Sequence, residues 1–348
     1  MSAVREVCCV WQHKQQEEKH KTIPVFVPHW GCPQSCLFCN QKKITGQKEE
    51  MTTERAREII RQGIAKKKPD DVLEIGFFGG SFTGIPAGQQ EALLGLAKEA
   101  LDAGHVQGIR LSTRPDYINE TVIHRLLRFD VTCVELGAQS MQDEVLLLNK
   151  RGHTAHQTRQ AAKMIKDSGM KLGLQMMVGL PGDTEAMAMD TAEQFANMNA
   201  DCVRIYPTLV ICDTELQAWY KSGQYHPLSV DEAVSVCSRL YQYFTEKDIQ
   251  VIRVGLLETE EGSLVAGPYH HAFGELVRSH LFYETILKAL KKHLKKEWTV
   301  FVHPQDVSAV MGQKRENLIR LKEALSLEAL HIVQDSEVTR GTVITEAK

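Results

Sequence analysis

Gly31-Cys32-Pro33-Gln34-Ser35-Cys36-Leu37-Phe38-Cys39-Asn40 follows a short apolar, strand-like stretch, Ile23 to Val27. An iron–sulfur cube normally takes four cysteine thiolates. A tight loop that offers three leaves one iron without a protein ligand and open to a small molecule, and an open metal position implies chemistry, as it does at catalytic zinc. The same loop also permits a structural Cys3His zinc site completed by His29, because the ligand set and the close spacing suit a tetrahedral ion.

From the loop outward, residues 22–255 alternate short apolar runs with longer helical patterns, the rhythm of repeated β-α units. The spacing predicts six core strands: Ile23 to Val27, Leu73 to Phe78, Gly108 to Thr113, Thr132 to Gln139, Lys171 to Val178 and Cys202 to Thr208. Helices are expected at Thr52 to Lys67, Gln89 to Ala103, Glu120 to Phe129, Thr154 to Ser168, Thr184 to Met198 and Ser229 to Lys247, with a further strand at Ile249 to Leu256. Strand parity adds a clue. In the fourth strand Val134, Leu136 and Ala138 share one face, whereas Glu135, Gly137 and Gln139 share the other; Gln175, and then Arg204, Tyr206 and Thr208, fall on the polar side of the next two. A doubly wound sheet covered on both faces reads as more uniformly apolar, so a curled, partly open barrel with a polar lumen is expected.

With 348 residues and 43% hydrophobic content, the chain can bury one large core and a smaller one. A net charge of −3 says little about partners, and no stretch approaches the roughly 20 apolar residues of a membrane span. Residues 1–21 read as a polar N-terminal tail without the apolar core of a signal peptide. Nine cysteines, an odd and scattered set outside the loop and the Cys8-Cys9 pair, argue against a disulfide framework and fit a reducing cytoplasm. After a connector at 257–280, residues 281–348 read as a small α+β module: a helix from Leu281 to Lys296, a strand at Trp298 to Val302, a helix from about Gln305 to Leu325, and strands at Ala329 to Val333 and Thr342 to Thr345. On the first of these helices Lys288, Lys291, Lys292, Lys295 and Lys296 are expected to gather on one side.

Cys-x-x-x-Cys-x-x-Cys with Phe38 before the last cysteine resembles the signature of the radical S-adenosylmethionine (SAM) superfamily. The resemblance implies a partial (β/α)6 barrel of the TIM type, a [4Fe-4S] cluster on Cys32, Cys36 and Cys39, and SAM bound at the open iron. It further implies reductive cleavage of SAM to a 5′-deoxyadenosyl radical, fed by an electron donor such as flavodoxin or ferredoxin. Working residues of a parallel barrel lie at the carboxyl ends of its strands. There the second strand ends in Gly79-Gly80-Ser81-Phe82-Thr83, which matches the superfamily's paired glycines, with Ser81 where many members have Glu.

Ser112-Thr113-Arg114-Pro115-Asp116, Glu135-Leu136-Gly137-Ala138-Gln139-Ser140, Asn149-Lys150-Arg151-Gly152-His153 and Gln175-Met176-Met177-Val178-Gly179-Leu180-Pro181-Gly182 are similar, in order and approximate spacing, to stretches of the Elongator catalytic subunit and of oxygen-independent coproporphyrinogen oxidase. By that likeness Phe38, Gly79, Gly80, Ser112, Gln139, Arg151 and Gln175 surround SAM. Arg151 is chemically apt, since a guanidinium binds a carboxylate in a two-pronged geometry.

Tyr206-Pro207-Thr208-Leu209-Val210, Thr214-Glu215-Leu216, Trp219 and Gly223-Gln224-Tyr225 resemble the Elongator radical domain in particular, over residues 22–256. That family works on the wobble uridine of transfer RNA with a C-terminal acetyltransferase domain. This chain is expected to lack such a domain, and its first cysteine interval is shorter. RNA is also suggested by Val310-Met311-Gly312-Gln313-Lys314-Arg315-Glu316-Asn317-Leu318-Ile319, similar to the Gly-x-x-Gly turn of a KH domain with Arg315 at the second glycine. The leading expectation is therefore a radical SAM enzyme that modifies tRNA or another RNA. A small-molecule or tetrapyrrole substrate, and a non-enzymatic iron–sulfur or zinc RNA-binding protein, are the alternatives.

Overall fold

The structure is a computed structural model, and it describes residues 5–11, 19–27, 36–40, 51–256 and 262–347. Its described residues group into two units, one drawn from 16–229 and 256–269, the other from 1–15, 230–255 and 270–348. Strand β1 (Arg5–Cys9) belongs to the second unit.

The first unit begins with β2 (Lys19–Val27), α1 (Thr53–Ala65) and β3 (Asp71–Gly79). It continues through α2 (Ala87–Asp102), β4 (Gly108–Thr113), α3 (Glu120–Arg128) and β5 (Cys133–Gln139). Next come α4 (Asp143–Leu148), α5 (Ala155–Asp167), β6 (Lys171–Val178), α6 (Glu185–Asn197) and β7 (Cys202–Pro207). The six strands β2 to β7 pair in parallel in chain order. Helix starts are set locally: the side chains of Thr52, Asn119, Thr154 and Thr184 each accept a backbone N–H from the first turn, and Thr154 and Gln157 cap each other reciprocally.

Parity works as expected. Ile75, Phe77, Ile109, Leu111, Val134 and Leu136 are fully buried on one side of the strands. On the other, a chain of charges crosses the inner face. Arg110 on β4 reaches Glu74 on β3 at 3.3 Å and Glu135 on β5 at 3.0 Å, and Glu135 accepts two hydrogen bonds from Arg204 on β7, at 2.5 and 3.1 Å. The Arg204 guanidinium also lies 5.2 Å from the ring centre of Phe78, on β3 with three strands between. Strands stand about 4.8 Å apart, so a contact from β7 to β3 requires the sheet to curl onto itself. The result is the partial barrel, plugged at mid-height by ion pairs.

After β7 the first unit adds β8 (Val210–Ile211) and α7 (Glu215–Lys221). Helix α8 (Val230–Glu246) and strand β9 (Gln250–Val254) group with the second unit, whereas β10 (Leu264–Ala266) returns to pair antiparallel with β8.

The second unit contains α9 (Phe273–Leu290), β11 (Glu297–Val302), α10 (Val307–Met311), α11 (Glu316–Leu325), β12 (Ala329–Gln334) and β13 (Thr342–Ala347). Its sheet has the order β1-β13-β11-β12, with β11 and β12 parallel and the other pairs antiparallel. Three expectations change here. Residues 5–9 of the supposed tail form β1, pinned along β13. The helix expected at Leu281 to Lys296 lies at Phe273–Leu290, so the expected connector holds β10 and the first half of α9, and only Lys288 of the five lysines is helical. The helix expected from Gln305 to Leu325 breaks at Gly312, whose φ is +71°, and the next turn places Lys314 and Arg315 at φ +50° and +65°. Asn317 secures that break from within, its amide donating to the carbonyls of Ala309 and Val310 and to Ser279.

Candidate active site

The carboxyl end of the sheet gathers Cys36, Cys39, Arg151 and the glutamines. Residues 36–40 are held by main-chain bonds: Leu37 N–H donates to the Asn149 carbonyl at 3.2 Å, and the Leu37 carbonyl accepts from Leu216 at 2.9 Å. Asn40 donates to the Cys212 carbonyl at 3.3 Å. Leu37 and Phe38 sink into an apolar group with Val145, Met177, Leu180 and Leu216, which explains why an apolar pair sits inside a cysteine loop. Cys36 is buried, Cys39 is half-buried, and one turn joins them through Cys39 N–H to the Cys36 carbonyl at 3.0 Å. Cys32 and His29 lie outside the described residues.

Arg151 ties this loop to the barrel. Its Nη1 donates to Cys36 Sγ at 3.2 Å and its Nη2 to the Gly137 carbonyl at 2.6 Å. Its Nε is buried with no hydrogen-bond partner among the described residues, a donor in want of an acceptor. The Gly137 carbonyl is available because β5 is irregular there: its register with β6 shifts between Leu136 and Gln139, and Gln139 takes φ +70°. A bulge of this kind re-aims a side chain. The Gln139 carboxamide turns to accept from Gln175 Nε2 at 3.1 Å, so the two glutamines named from parity meet on the inner face. A Cβ on Gly137 would come within 3.0 Å of the Gln139 amide.

His153, whose role the sequence left unread, completes the bulge. It is buried, with Nε2 3.2 Å from the Ala138 carbonyl and Nδ1 without a partner among the described residues. Burial, aided by the positive charges of Arg151 and Arg114, pushes its pKa down to about 4, so the ring is neutral and Nε2 carries the proton it donates. Adjacent carbonyls of the bulge are thus held by Arg151 and His153.

At the end of β3, Gly79 has φ +117°, and a Cβ there would come within 2.5 Å of the Val27 carbonyl. Only glycine suits the position. Gly80 N–H donates to that same carbonyl at 3.3 Å. Ser81 points away from ligand chemistry: its hydroxyl lies 2.7 Å from the Thr113 hydroxyl, itself 2.6 Å from that of Thr83, and it accepts from Arg114 N–H at 3.2 Å. The chain thus uses a short side chain here to tie the end of β3 to β4. Ser112 is half-buried on the inner face, and its hydroxyl makes no hydrogen bond among the described residues. On the loop after β6, Tyr225 donates to the Gly179 carbonyl at 2.7 Å, and burial raises the Asp183 carboxyl to about 7.

The donor set fits a cluster and its nucleotide: a loop sulfur hydrogen-bonded by a cation, which tunes a cluster, beside an unfilled guanidinium donor and a glycine opening. The family profile described as Radical SAM superfamily matches residues 27–195, and that of the Radical_SAM C-terminal domain matches residues 200–282. The chain belongs to the radical SAM superfamily. As a radical SAM enzyme, it uses that family's cofactors, a [4Fe-4S] cluster and SAM. It is 35% identical over 193 residues to a tRNA uridine(34) acetyltransferase of Methanocaldococcus infernus, covering 49% of this chain and 36% of that one. To Elongator complex protein 3 of Schizosaccharomyces pombe it is 30% identical over 207 residues, 54% of this chain and 38% of the relative. A solved archaeal Elp3 from M. infernus, lacking its N-terminus, superposes with a TM-score of 0.59 at 25% identity, over 77% of this chain and 63% of that one. The radical SAM chain spans between 24% and 52% of the length of its first curated relatives. None of its described helices is long and apolar enough to cross a membrane.

Proposed function

We infer that this enzyme binds a [4Fe-4S] cluster on Cys32, Cys36 and Cys39 and SAM on the neighbouring rim, and that its substrate is a base of tRNA or another RNA. When bound, the pair supplies a 5′-deoxyadenosyl radical by reductive cleavage of SAM, with electrons from a flavodoxin- or ferredoxin-type donor. The observation that supports the site best is Arg151, whose guanidinium touches a loop sulfur and a strand-end carbonyl while its Nε has no partner among the described residues.

The chain's own residues then divide the work. Arg151 offers charged N–H groups to the methionyl carboxylate. Gly79 and Gly80 open the backbone for the ammonium group, and Ser112, Gln139 and Gln175 line the inner face for the nucleoside. Phe38, packed among Leu37 and Met177, keeps water from the loop. The ion pairs among Glu74, Arg110, Glu135 and Arg204 plug the barrel below this level, so a substrate meets the radical at the rim. RNA is favoured over a small molecule by the relatives, which are tRNA uridine(34) acetyltransferases.

Reconstituted, reduced protein is expected to convert SAM to 5′-deoxyadenosine and methionine, and Cys36→Ala to abolish the reaction. Full turnover by Cys36→Ala would remove the loop from the mechanism. Comparing tRNA nucleosides from cells with and without the gene tests the substrate; identical profiles would defeat the tRNA reading.

A further inference from the structure

The inner face of the barrel divides into two halves. On β5 and β6 it carries the paired carboxamides of Gln139 and Gln175, whereas β2, β3 and β7 carry aromatic rings around one guanidinium. Phe26 and Phe78 are register partners, with ring centres 6.3 Å apart and planes tilted by 49°. Phe78 lies back along its own strand over Gly76, where a Cβ would come within 2.5 Å of its Cε2. From β7, the Arg204 guanidinium sits 5.2 Å from the Phe78 ring centre, and its Nη1 is 3.5 Å from the Tyr206 hydroxyl. Phe26, Phe78, Arg204 and Tyr206 are half-buried, while Val25, Phe77 and Ile205 on the opposite face of the same strands are fully buried. Solvent therefore reaches the four from the lumen.

We propose that Phe78, Arg204 and Tyr206 hold the base on which the enzyme acts, as a wall that stacks a planar ring and reads a carbonyl oxygen on its edge. The assignment rests on the RNA reading above and names the residues that select within it. Unpaired bases are gripped on aromatic rings and on arginine planes, and such stacking accepts any base. Selection needs hydrogen bonds, and here both available groups donate. Glu135 takes Nε and Nη2 of Arg204, at 2.5 and 3.1 Å, which fixes the guanidinium and leaves Nη1 with an N–H beyond the one aimed at Tyr206. The Tyr206 oxygen accepts from Arg204, and its own proton has no acceptor among the described residues. A ring carbonyl accepts from both. An amine in the same place meets a cation, and a hydroxyl whose proton that cation turns outward, so donors are left unpaired.

Position agrees with this role. Phe78 directly precedes Gly79, proposed above for the ammonium group of SAM. Tyr206 packs against the apolar group that holds Cys36, Phe38 and Met177, and Arg204 stands level with Gln175 on the neighbouring strand. A base on this wall lies beside both cofactor positions, as hydrogen abstraction requires of its partners.

The test uses the full chain, reconstituted with its cluster and SAM and left unreduced so that no turnover occurs. Fluorescence anisotropy compares the single strands 5′-AAUAA and 5′-AACAA, which exchange a ring carbonyl for an amine. The first is expected to bind roughly tenfold more tightly, as a charged hydrogen bond allows. Tyr206→Phe is expected to bring the two within about twofold by weakening the first alone, and Phe78→Leu to weaken both. A strand carrying 4-thiouridine, which needs no variant, is expected to crosslink under ultraviolet light to peptides containing Phe78 or Tyr206. The assignment is overturned if the native protein binds both strands alike, if Tyr206→Phe keeps the preference, or if the crosslinks fall on other peptides. Each of those outcomes leaves RNA binding itself intact, whereas binding of neither strand defeats the RNA reading and this assignment with it.

Discussion

Arg151 is the residue on which the rim depends, and its replacement separates two roles. Arg151→Ala removes the charged donor proposed for SAM and leaves the Gly137 carbonyl without its 2.6 Å partner. SAM binding is expected to weaken by about 1.5–3 kcal/mol, roughly ten- to a hundredfold, in equilibrium dialysis. Arg151→Lys should recover little, because a single ammonium cannot serve Cys36, Gly137 and a carboxylate together; an unchanged dissociation constant in either variant would strike Arg151 from the site. His153 gives a pH signature. Its folded pKa of about 4 lies below the ordinary 6.5, so the unfolded chain takes up the proton first and stability falls as pH drops from 6.5 toward 4. That loss approaches about 3 kcal/mol at the acid end. His153→Gln keeps a donor for the Ala138 carbonyl and does not titrate, so urea unfolding should show a shallower acid loss; identical pH slopes would refute the assignment. Gln139 and Gln175 were legible from period-two parity alone. His153 was not, because its partner carbonyl is exposed by a bulge and a positive φ at Gln139, which alternation cannot encode.

Among elements, the six barrel strands were readable because they couple an apolar face to a fixed polar one and several lead into helices that Thr52, Asn119 and Thr184 cap. Gly108–Thr113 and Lys171–Val178 fall where the spacing puts them. The C-terminal helices were not. Phe273, Val277, Leu281, Phe282, Ile286 and Leu290 form one buried stripe, and the tail of that stripe is itself helix-like, so its register was read about two turns late. The lysines that follow Leu290 lie past the helix end, where Lys292 pairs with Glu6 of β1 at 2.5 Å. A five-residue strand such as β1, with Val7 exposed on a sheet edge, lacks the burial pattern that reveals strands. The glycine pair after β3 is an element-level feature and yields a prediction. Gly79→Ala forces a Cβ to 2.5 Å from the Val27 carbonyl at φ +117°, which should cost more than about 2 kcal/mol in urea unfolding and lower SAM affinity. Stability within about 0.5 kcal/mol of the native chain would show that the strand ends relax freely.

At the scale of the whole molecule, the question is what brings RNA to the rim. The lysine stripe expected on one helix does not exist, so it cannot provide the electrostatic footprint, and a net charge of −3 provides no general attraction. A candidate in the second unit is the turn between α10 and α11, where Lys314 and Arg315 are exposed side by side with left-handed backbones beneath them. Two cations so placed are suited to phosphates, and each phosphate neutralised on a single strand contributes a slope of about −0.7 to the dependence of log affinity on log salt. Filter binding of tRNA across ionic strength is therefore expected to show a negative slope that becomes shallower by about 1 to 1.5 units in the Lys314→Ala, Arg315→Ala double variant. Both changes lie on an exposed turn, so the fold and SAM cleavage should survive them. Binding that is absent, or indifferent to salt, removes the electrostatic case for RNA, whereas a normal slope that the double variant leaves unchanged moves the contact to another surface.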